Sequence, residues 1–228
     1  MKKKAMALVL ALGLVVVGIV GGTMAWLTAE ATEVKNVFTD SDINITLTET
    51  GLNQNNENSY KMIPGHTIAK DPVVKVDANS EACYLFVQVT ENLGAWSDND
   101  QTKSFKDYLS YAVNTTNWTA LADNSGVYYK KVDDPKTAPT AGYAVLKDNE
   151  VIVIGDNVTK PMMDEIDGVD SDGKTDTDEA KAEIDARPTL TFKAYAVQLY
   201  TGAKNEDGTK VEFTAVDAWA KAVGTANS

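Results

Sequence analysis

The sequence predicts a mainly β protein: an antiparallel, jelly-roll-like β-sandwich with short helical insertions. Apolar and polar residues alternate along its first extended segment, which is the period of a half-buried strand. Polar turn sequences separate the later apolar segments. Strands and helices do not alternate regularly, as they would around a parallel sheet. A chain of 228 residues is also long enough to bury a sizeable core.

The strand candidates run from residue 43 to residue 200. In the first, Ile43, Ile45 and Leu47 form the apolar face. The later candidates are Val73 to Val76, Tyr84 to Thr90, Val127 to Val132, Tyr143 to Leu146, Val151 to Ile154 and Thr189 to Tyr200. Turns are predicted at Pro64-Gly65 and at residues 123–126. Residues 147–150 predict a hairpin turn between the two strands beside them.

Four segments predict helices inserted between strands. They are Phe105 to Val113, Pro161 to Ile166, Asp178 to Ala186 and Ala215 to Val223. Pro161 suits a helical first turn, where the missing N–H costs nothing. Residues 161–187 are acidic and partly helical, so we expect them to form a solvated excursion from the sandwich.

The charge balance excludes several kinds of partner. The formal net charge is -12, and it becomes more negative if Lys2, Lys3 and Lys4 are removed with the leader. We therefore expect no nucleic acid partner and no binding to anionic lipid. The one cysteine, Cys83, cannot form an internal disulfide, and its place at the start of an apolar strand predicts a small buried hydrophobe.

The N-terminal region has each part of a signal peptide. Three lysines precede the apolar run Ala5 to Val20, and Gly21-Gly22 then weakens the helix before small residues. We predict a signal peptide and a mature protein that is secreted or on the cell surface. One site that fits the small-x-small cleavage rule is Thr23-Met24-Ala25, which would leave Trp26 as the new N-terminus. A second small-residue site lies at Ala29-Glu30-Ala31. The rival interpretation is a retained transmembrane anchor.

The mature chain then divides into an N-terminal segment, residues 26–39, and a single β-sandwich domain, residues 40–228. The junction Gly21-Gly22-Thr23-Met24-Ala25-Trp26, followed by Val37-Phe38-Thr39 and the first strand, resembles the TasA and camelysin family of exported proteins of spore-forming bacteria. The similarity extends to Met62-Ile63-Pro64-Gly65, Lys70-Asp71-Pro72 and Phe192 to Gln198. Only the signal junction is specific, and the middle of the chain, residues 90–188, has no residue-by-residue match.

The resemblance implies cleavage by a signal peptidase of the SipW type between Ala25 and Trp26, so that residues 1–25 are the signal peptide. It also implies a jelly-roll subunit that assembles with itself into extracellular fibres of a biofilm matrix, with a cell-surface anchor or a minor fibre protein as further partners. In some relatives the N-terminal segment is donated to the next subunit. Here the donor-strand candidates are the apolar residues Leu27, Val34, Val37 and Phe38. The alternative is that this segment pairs within its own domain.

Catalytic motifs are sparse, although camelysin-type relatives have been described as metallopeptidases. A zinc hydrolase commonly uses two histidines in a His-Glu-x-x-His motif, but this chain has the single histidine His66, in a predicted loop. Only His66 could serve Cys83 as a base, and no Gly-x-Ser-x-Gly motif is present. We therefore predict no catalytic or cofactor-binding residues, with a camelysin-type metallopeptidase as the alternative.

Two binding sites remain as hypotheses. The acidic stretch matches a calcium loop at its third, fifth, ninth and twelfth positions through Asp170, Asp172, Asp176 and Glu179, but Gly168 occupies the first position. A solvated acidic loop is the other interpretation. The aromatic residues Trp96, Trp118, Tyr128 and Tyr129 could line a sugar site of a monomeric adhesin, but the sequence favours core packing for them.

Overall fold

Antiparallel sheets dominate the structure, a computed structural model that describes residues 42–54, 56, 58–94, 96, 102–166 and 187–225. The strands are β1 (Ile45–Thr48), β2 (Thr67–Ala69), β3 (Val73–Val76), β4 (Cys83–Asn92), β5 (Leu109–Ser110), β6 (Thr119–Ala120), β7 (Val127–Val132), β8 (Tyr143–Ala144), β9 (Glu150–Val153), β10 (Thr189–Gln198), β11 (Tyr200–Lys204) and β12 (Lys210–Glu212). The helices are α1 (Phe105–Tyr108), α2 (Lys160–Ile166) and α3 (Ala215–Thr225).

The strands form four sheets. The main sheet has the order β10-β4-β7-β6, the cover sheet β1-β3-β8, the end sheet β2-β9-β5, and β11 with β12 makes a hairpin. Strands β4 and β10 pair over ten residues, from Thr189 opposite Asn92 to Gln198 opposite Cys83. This arrangement confirms the mainly β, antiparallel prediction and is consistent with a β-sandwich.

Both faces of the main sheet are covered. On one face, Cys83, Leu85 and Val87 pack against Val74 and Tyr143 of the cover sheet. On the other face, β4 presents Tyr84 and Phe86 to helix α3, whose residues Ala218, Trp219 and Ala222 are buried. Because β4 contacts a core on each side, its sequence is apolar at successive positions instead of alternating. A third core lies around the end sheet and includes Trp96, Phe105, Tyr108, Leu109, Leu146, Val151, Val153 and Val158.

Local sequence explains where helix α3 begins. The Thr214 hydroxyl accepts a hydrogen bond from the backbone N–H of Asp217 at 3.1 Å, and it donates to the Asp217 carboxylate at 2.7 Å. This reciprocal cap satisfies a backbone donor that the first turn would leave unpaired. The prediction of a helix from Ala215 is therefore confirmed, as is the short helix at Pro161 to Ile166.

Two predictions about connections are wrong. Residues 147–150 do not join a hairpin, because β8 pairs with β3 whereas β9 pairs with β2 and β5. Asp148 and Asn149 have left-handed φ angles of 57° and 54°, and the chain passes there from one sheet to another. The strand predicted over Tyr143 to Leu146 is accordingly short, and Leu146 makes only an isolated bridge with Val113.

Two predicted elements are also divided. The helix predicted over Phe105 to Val113 ends at Tyr108, because Leu109 and Ser110 pair with β9. The strand predicted over Thr189 to Tyr200 breaks at Leu199, whose N–H donates to Ala82 while its carbonyl accepts from Phe213. The predicted helix at Asp178 to Ala186 lies outside the described residues. In the described part of the chain, no helix has the length and apolar character needed to cross a membrane.

Candidate functional site along the outer edge of strand β10

Strand β10 has a strand partner on one side only among the described residues. Backbone groups in an antiparallel strand point alternately to the two sides. The N–H of Leu199 donates to Ala82 at 2.8 Å, on the side of β4. Odd-numbered residues of β10 therefore face β4. The residues whose backbone groups face the outer edge are Leu190, Phe192, Ala194, Ala196 and Gln198. No backbone hydrogen bond from a described residue reaches them.

A groove of about 890 Å³ lies along the first half of this edge. Leu190 and Phe192 of β10 line one part of it, and Leu47 with the loop after β1 lines another. Ile68 and Val151 of the end sheet supply further apolar surface. Unpaired strand backbone beside apolar lining is the combination that binds an added strand, because main-chain hydrogen bonds provide affinity and side-chain pockets provide specificity.

A charged cluster forms part of the groove. The Lys70 ammonium lies 3.0 Å from Glu49 Oε1 and 3.1 Å from Oε2. Both side chains are largely buried, with 12% of Lys70 and 8% of Glu49 exposed. Asn58 Nδ2 donates to Glu49 Oε1 at 3.2 Å, and the Tyr60 hydroxyl also donates to that oxygen. Burial and the neighbouring Glu49 carboxylate raise the pKa of Tyr60, so its hydroxyl remains a donor.

Two hydrogen bonds connect the loop after β1 to Asp71, which lies just before β3. Thr50 donates from its backbone N–H and its hydroxyl to the Asp71 carboxylate, at 2.9 and 2.7 Å. These two bonds lower the pKa of Asp71 because they stabilise its ionised form. The Lys70 ammonium lies 5.2 Å from the ring centre of Tyr60 and 5.3 Å from that of Phe192. The cluster therefore joins the groove wall directly to β10.

Most of the predicted site residues lie outside the described residues. This applies to the cleavage junction Ala25 and Trp26 and to the donor-strand candidates Leu27, Val34, Val37 and Phe38. It also applies to the calcium candidates Asp170, Asp172, Asp176 and Glu179. Within the described part of the chain, no group of three His, Cys, Asp or Glu side chains could hold a metal ion.

The two candidate catalytic side chains have ordinary structural settings. His66 is exposed in the turn before β2, and its backbone carbonyl accepts from Val153 at 2.9 Å. Cys83 is fully buried in the core between the main and cover sheets. Burial raises the pKa of its thiol to about 11, so the thiolate that a nucleophile needs is disfavoured at neutral pH. Cys83 is thus the small buried hydrophobe that the sequence predicts.

The aromatic residues belong to the cores. Trp96 and Trp118 are 0% and 2% exposed and lie in different cores. Their indole N–H groups donate to the backbone carbonyls of Met162 and Ala144, each at 2.9 Å. Tyr128 and Tyr129 are half-buried on opposite faces of the main sheet. Core packing is therefore confirmed for the two tryptophans, and the four rings do not share one exposed face.

No protein-family model, curated protein or solved structure matches this chain. The resemblance to the TasA and camelysin family stays a prediction. Sequence analysis missed the groove and the Lys70 cluster, because Glu49, Asn58 and Lys70 lie far apart in the chain and carry no motif. One signal was present: the exposed positions of this ten-residue strand carry Thr189, Thr191, Lys193 and Gln198, and polar or charged side chains are common on an edge strand.

Proposed function

We propose that this protein is an exported, non-enzymatic subunit of a surface or biofilm-matrix fibre. Residues 26–39 of one copy would occupy the groove along the outer edge of β10 in the next copy. The observation that carries the proposal is the ten-residue strand β10, whose outward backbone groups have no partner among the described residues and lie beside a groove with both apolar and polar lining. An added strand would satisfy those groups.

The dimensions of the proposed donor suit the edge. A strand rises about 3.3 Å per residue, so residues 26–39 can reach about 45 Å when extended, whereas a ten-residue strand spans about 33 Å. The segment can therefore cover β10 and still leave residues for a connection. Its apolar residues Leu27, Val34, Val37 and Phe38 would contact the apolar lining. The contact is head to tail, and such contacts extend into filaments when the rotation between copies does not close.

The first experiment compares two truncated chains by electron microscopy. One contains residues 26–228 and the other residues 40–228. We expect filaments from the first and monomers from the second. A peptide of residues 26–39 added to the shorter chain should bind it with one-to-one stoichiometry, measured by calorimetry, and the same peptide with Val37 and Phe38 both replaced by Asp should not bind.

Each result separates the proposed function from its alternatives. Monomers from both chains over a wide range of concentration, pH and calcium would contradict self-assembly. If the longer chain is monomeric but its N-terminal segment resists proteolysis, the segment pairs within its own domain. A camelysin-type peptidase would instead show proteolysis that a chelator and His66→Ala abolish. An adhesin would bind glycans without forming filaments.

A further inference from the structure

One carboxylate oxygen joins a lysine and an asparagine in the wall of the groove. Glu49 Oε1 accepts from Lys70 Nζ at 3.0 Å and from Asn58 Nδ2 at 3.2 Å. The side-chain nitrogens of Lys70 and Asn58 thus donate to the same carboxylate oxygen. Asn58 Nδ2 is further oriented by the backbone carbonyl of Thr50 at 2.9 Å and by the Tyr60 oxygen at 3.0 Å.

The surroundings of this triad favour reaction between its members. Lys70 and Glu49 are both about nine-tenths buried, and the ring centres of Tyr60 and Phe192 lie 5.2 and 5.3 Å from the ammonium group. A weakly solvated ion pair gains less from staying charged, because water no longer stabilises the separate charges. Glu49 Oε1 accepts directly from Lys70 Nζ, so this carboxylate is placed to take the proton whose loss leaves the neutral amine that a nucleophile requires.

We propose that Lys70 and Asn58 form an intramolecular isopeptide bond, with Glu49 as the proton-transfer group. Glu49 takes a proton from Nζ, and the neutral amine attacks Cγ of Asn58. Glu49 gives that proton to Nδ2 as the bond between Cγ and Nδ2 breaks, and it then takes the second proton that Nζ loses in becoming an amide nitrogen. The departing ammonia accepts this second proton and leaves as ammonium, which restores the carboxylate. One amide replaces another, so no oxidant, reductant or co-reactant is needed.

The bond would close residues 58–70 into a covalent ring that contains the second part of the loop after β1 and strand β2. This ring would form part of one wall of the groove beside β10. Cross-links of this kind stabilise a fold chiefly by restricting the unfolded chain. This device would suit a chain whose single cysteine cannot provide a disulfide. The inference does not depend on the proposed fibre, because its chemistry is internal to one copy.

Peptide mapping of the full-length chain tests the bond directly. Lys61 lies between the two residues, so trypsin cleavage there separates residues 36–61 from residues 62–75 unless they are cross-linked. Cleavage after Lys70 should fail because its amine is consumed. We expect one branched peptide whose mass equals the sum of residues 36–61 and 62–75 less one ammonia, with fragment ions that join Asn58 to Lys70.

Three variants should fail to form the cross-link, so their digests should lack the branched peptide. Lys70→Arg keeps the charge and the ion pair but lacks the nucleophilic amine. Asn58→Ala removes the electrophilic carbonyl carbon, and Glu49→Gln removes the proton acceptor. Circular dichroism of each variant establishes that it is folded, and Lys70→Arg is the decisive one because it disturbs the packing least.

The chain contains its own matched control. Lys103 donates to Asn157 Oδ1 at 2.9 Å, but Asn157 Nδ2 donates to the backbone carbonyl of Asp107 and not to a carboxylate. We expect no cross-link at that pair. Unbranched peptides with full mass from the folded wild-type chain would overturn the proposal. Loss of ammonia that persists in Lys70→Arg would overturn it as well, because the loss would then arise elsewhere.

Discussion

The two edges of the main sheet differ in length and in charge. At one edge, β10 is ten residues long, its outward backbone groups are paired by no described residue, and it lies beside a groove with both apolar and polar lining. At the other edge, β6 pairs with only two residues of β7, and Lys130 and Lys131 follow. Lys131 contacts Asp133 at 3.0 Å and Glu212 at 2.8 Å. Short strands and lysines are the usual protection against edge-to-edge association.

Among the described residues, this difference leaves the β10 edge as the longer unpaired edge of the main sheet. Strand β10 carries one lysine, Lys193, whose backbone groups face β4, and it contains no proline. A proline at an outward position would have removed a donor from this edge. The following predictions test the comparison, in order of expected effect.

The largest effect is expected in the strand that neither edge exposes. Val87 of β4 is fully buried and pairs with Ala194 on one side and Tyr128 on the other. Val87→Asp should lower the free energy of unfolding by more than about 4 kcal/mol, because it buries a charge without a partner. Thr191→Asp, at an exposed position of β10, is the control and should change it by less than about 1 kcal/mol. Urea denaturation measures the unfolding free energy of both variants. Equal losses of stability would contradict the placement of Val87 in the core.

Proline substitution distinguishes the two sides of β10. Lys193→Pro removes a backbone donor that faces β4 and should cost about 2–3 kcal/mol of unfolding free energy. Ala194→Pro removes a donor on the outer edge and should cost about 1 kcal/mol. The second variant should nevertheless lose filament formation from residues 26–228, observed by electron microscopy. Filaments that form normally with Ala194→Pro would show that the outer edge is not the acceptor.

Two glycines with left-handed backbone form a matched pair. Gly126, just before β7, has φ of 75°, and an added Cβ would lie 2.5 Å from the backbone oxygen of Val89. Gly202 has φ of 87° but open space around that position. Gly202→Ala should cost about 1 kcal/mol for the strained φ alone. Gly126→Ala should cost about 2–3 kcal/mol, because the neighbouring strand must also shift. Thermal denaturation of the two variants makes the comparison, and equal costs would contradict the close approach of β4.

Cys83 makes the stability of the main sheet depend on pH. Burial raises the pKa of its thiol from 9.0 to about 11. Above pH 9 the unfolded chain has lost this proton while the folded chain retains it, so stability falls as the pH rises toward 11. The loss should reach about 2 kcal/mol. An unperturbed tyrosine, with a pKa of about 10, also titrates in this range in the unfolded chain. The measured quantity is therefore the difference in unfolding free energy between wild type and Cys83→Ala, and this difference should narrow between pH 9 and 11. A constant difference would contradict the buried thiol.

The smallest effect on stability is expected at the edge protected by lysines. Lys131 is exposed, so Lys131→Val should change the free energy of unfolding by less than about 1 kcal/mol. The same variant should raise concentration-dependent association, measured by analytical ultracentrifugation of residues 40–228, because it removes a charge from an uncovered edge. Lys136→Val, in the turn after β7, is the control and should not associate. Identical behaviour of the two variants would mean that Lys131 does not protect the edge.

Local sequence was sufficient to predict the bounds of strands that pair with a strand on each side. It was also sufficient to predict where a helix with its own capping residues begins. The strands Val73–Val76 and Val127–Val132 have the predicted bounds, and the apolar run in β4 reflects its two cores. Helix α3 begins where Thr214 and Asp217 cap it. Side-chain period and capping act within a few residues, so they are readable from the chain alone.

Pairing partners were decided only by the tertiary structure. Adjacent strands β8 and β9 enter different sheets, and Leu199 interrupts a continuous β pattern because Ala82 and Phe213 hold its backbone. Lys70 lies 21 residues from Glu49, and no local pattern predicts that they meet. The sequence by itself determined the charge, the strand-rich character and the positions of most elements. Contacts between residues far apart in the chain decide which edge the described residues leave unpaired and which side chains share the groove. Those contacts form only when the whole chain packs, so a local pattern does not reveal them.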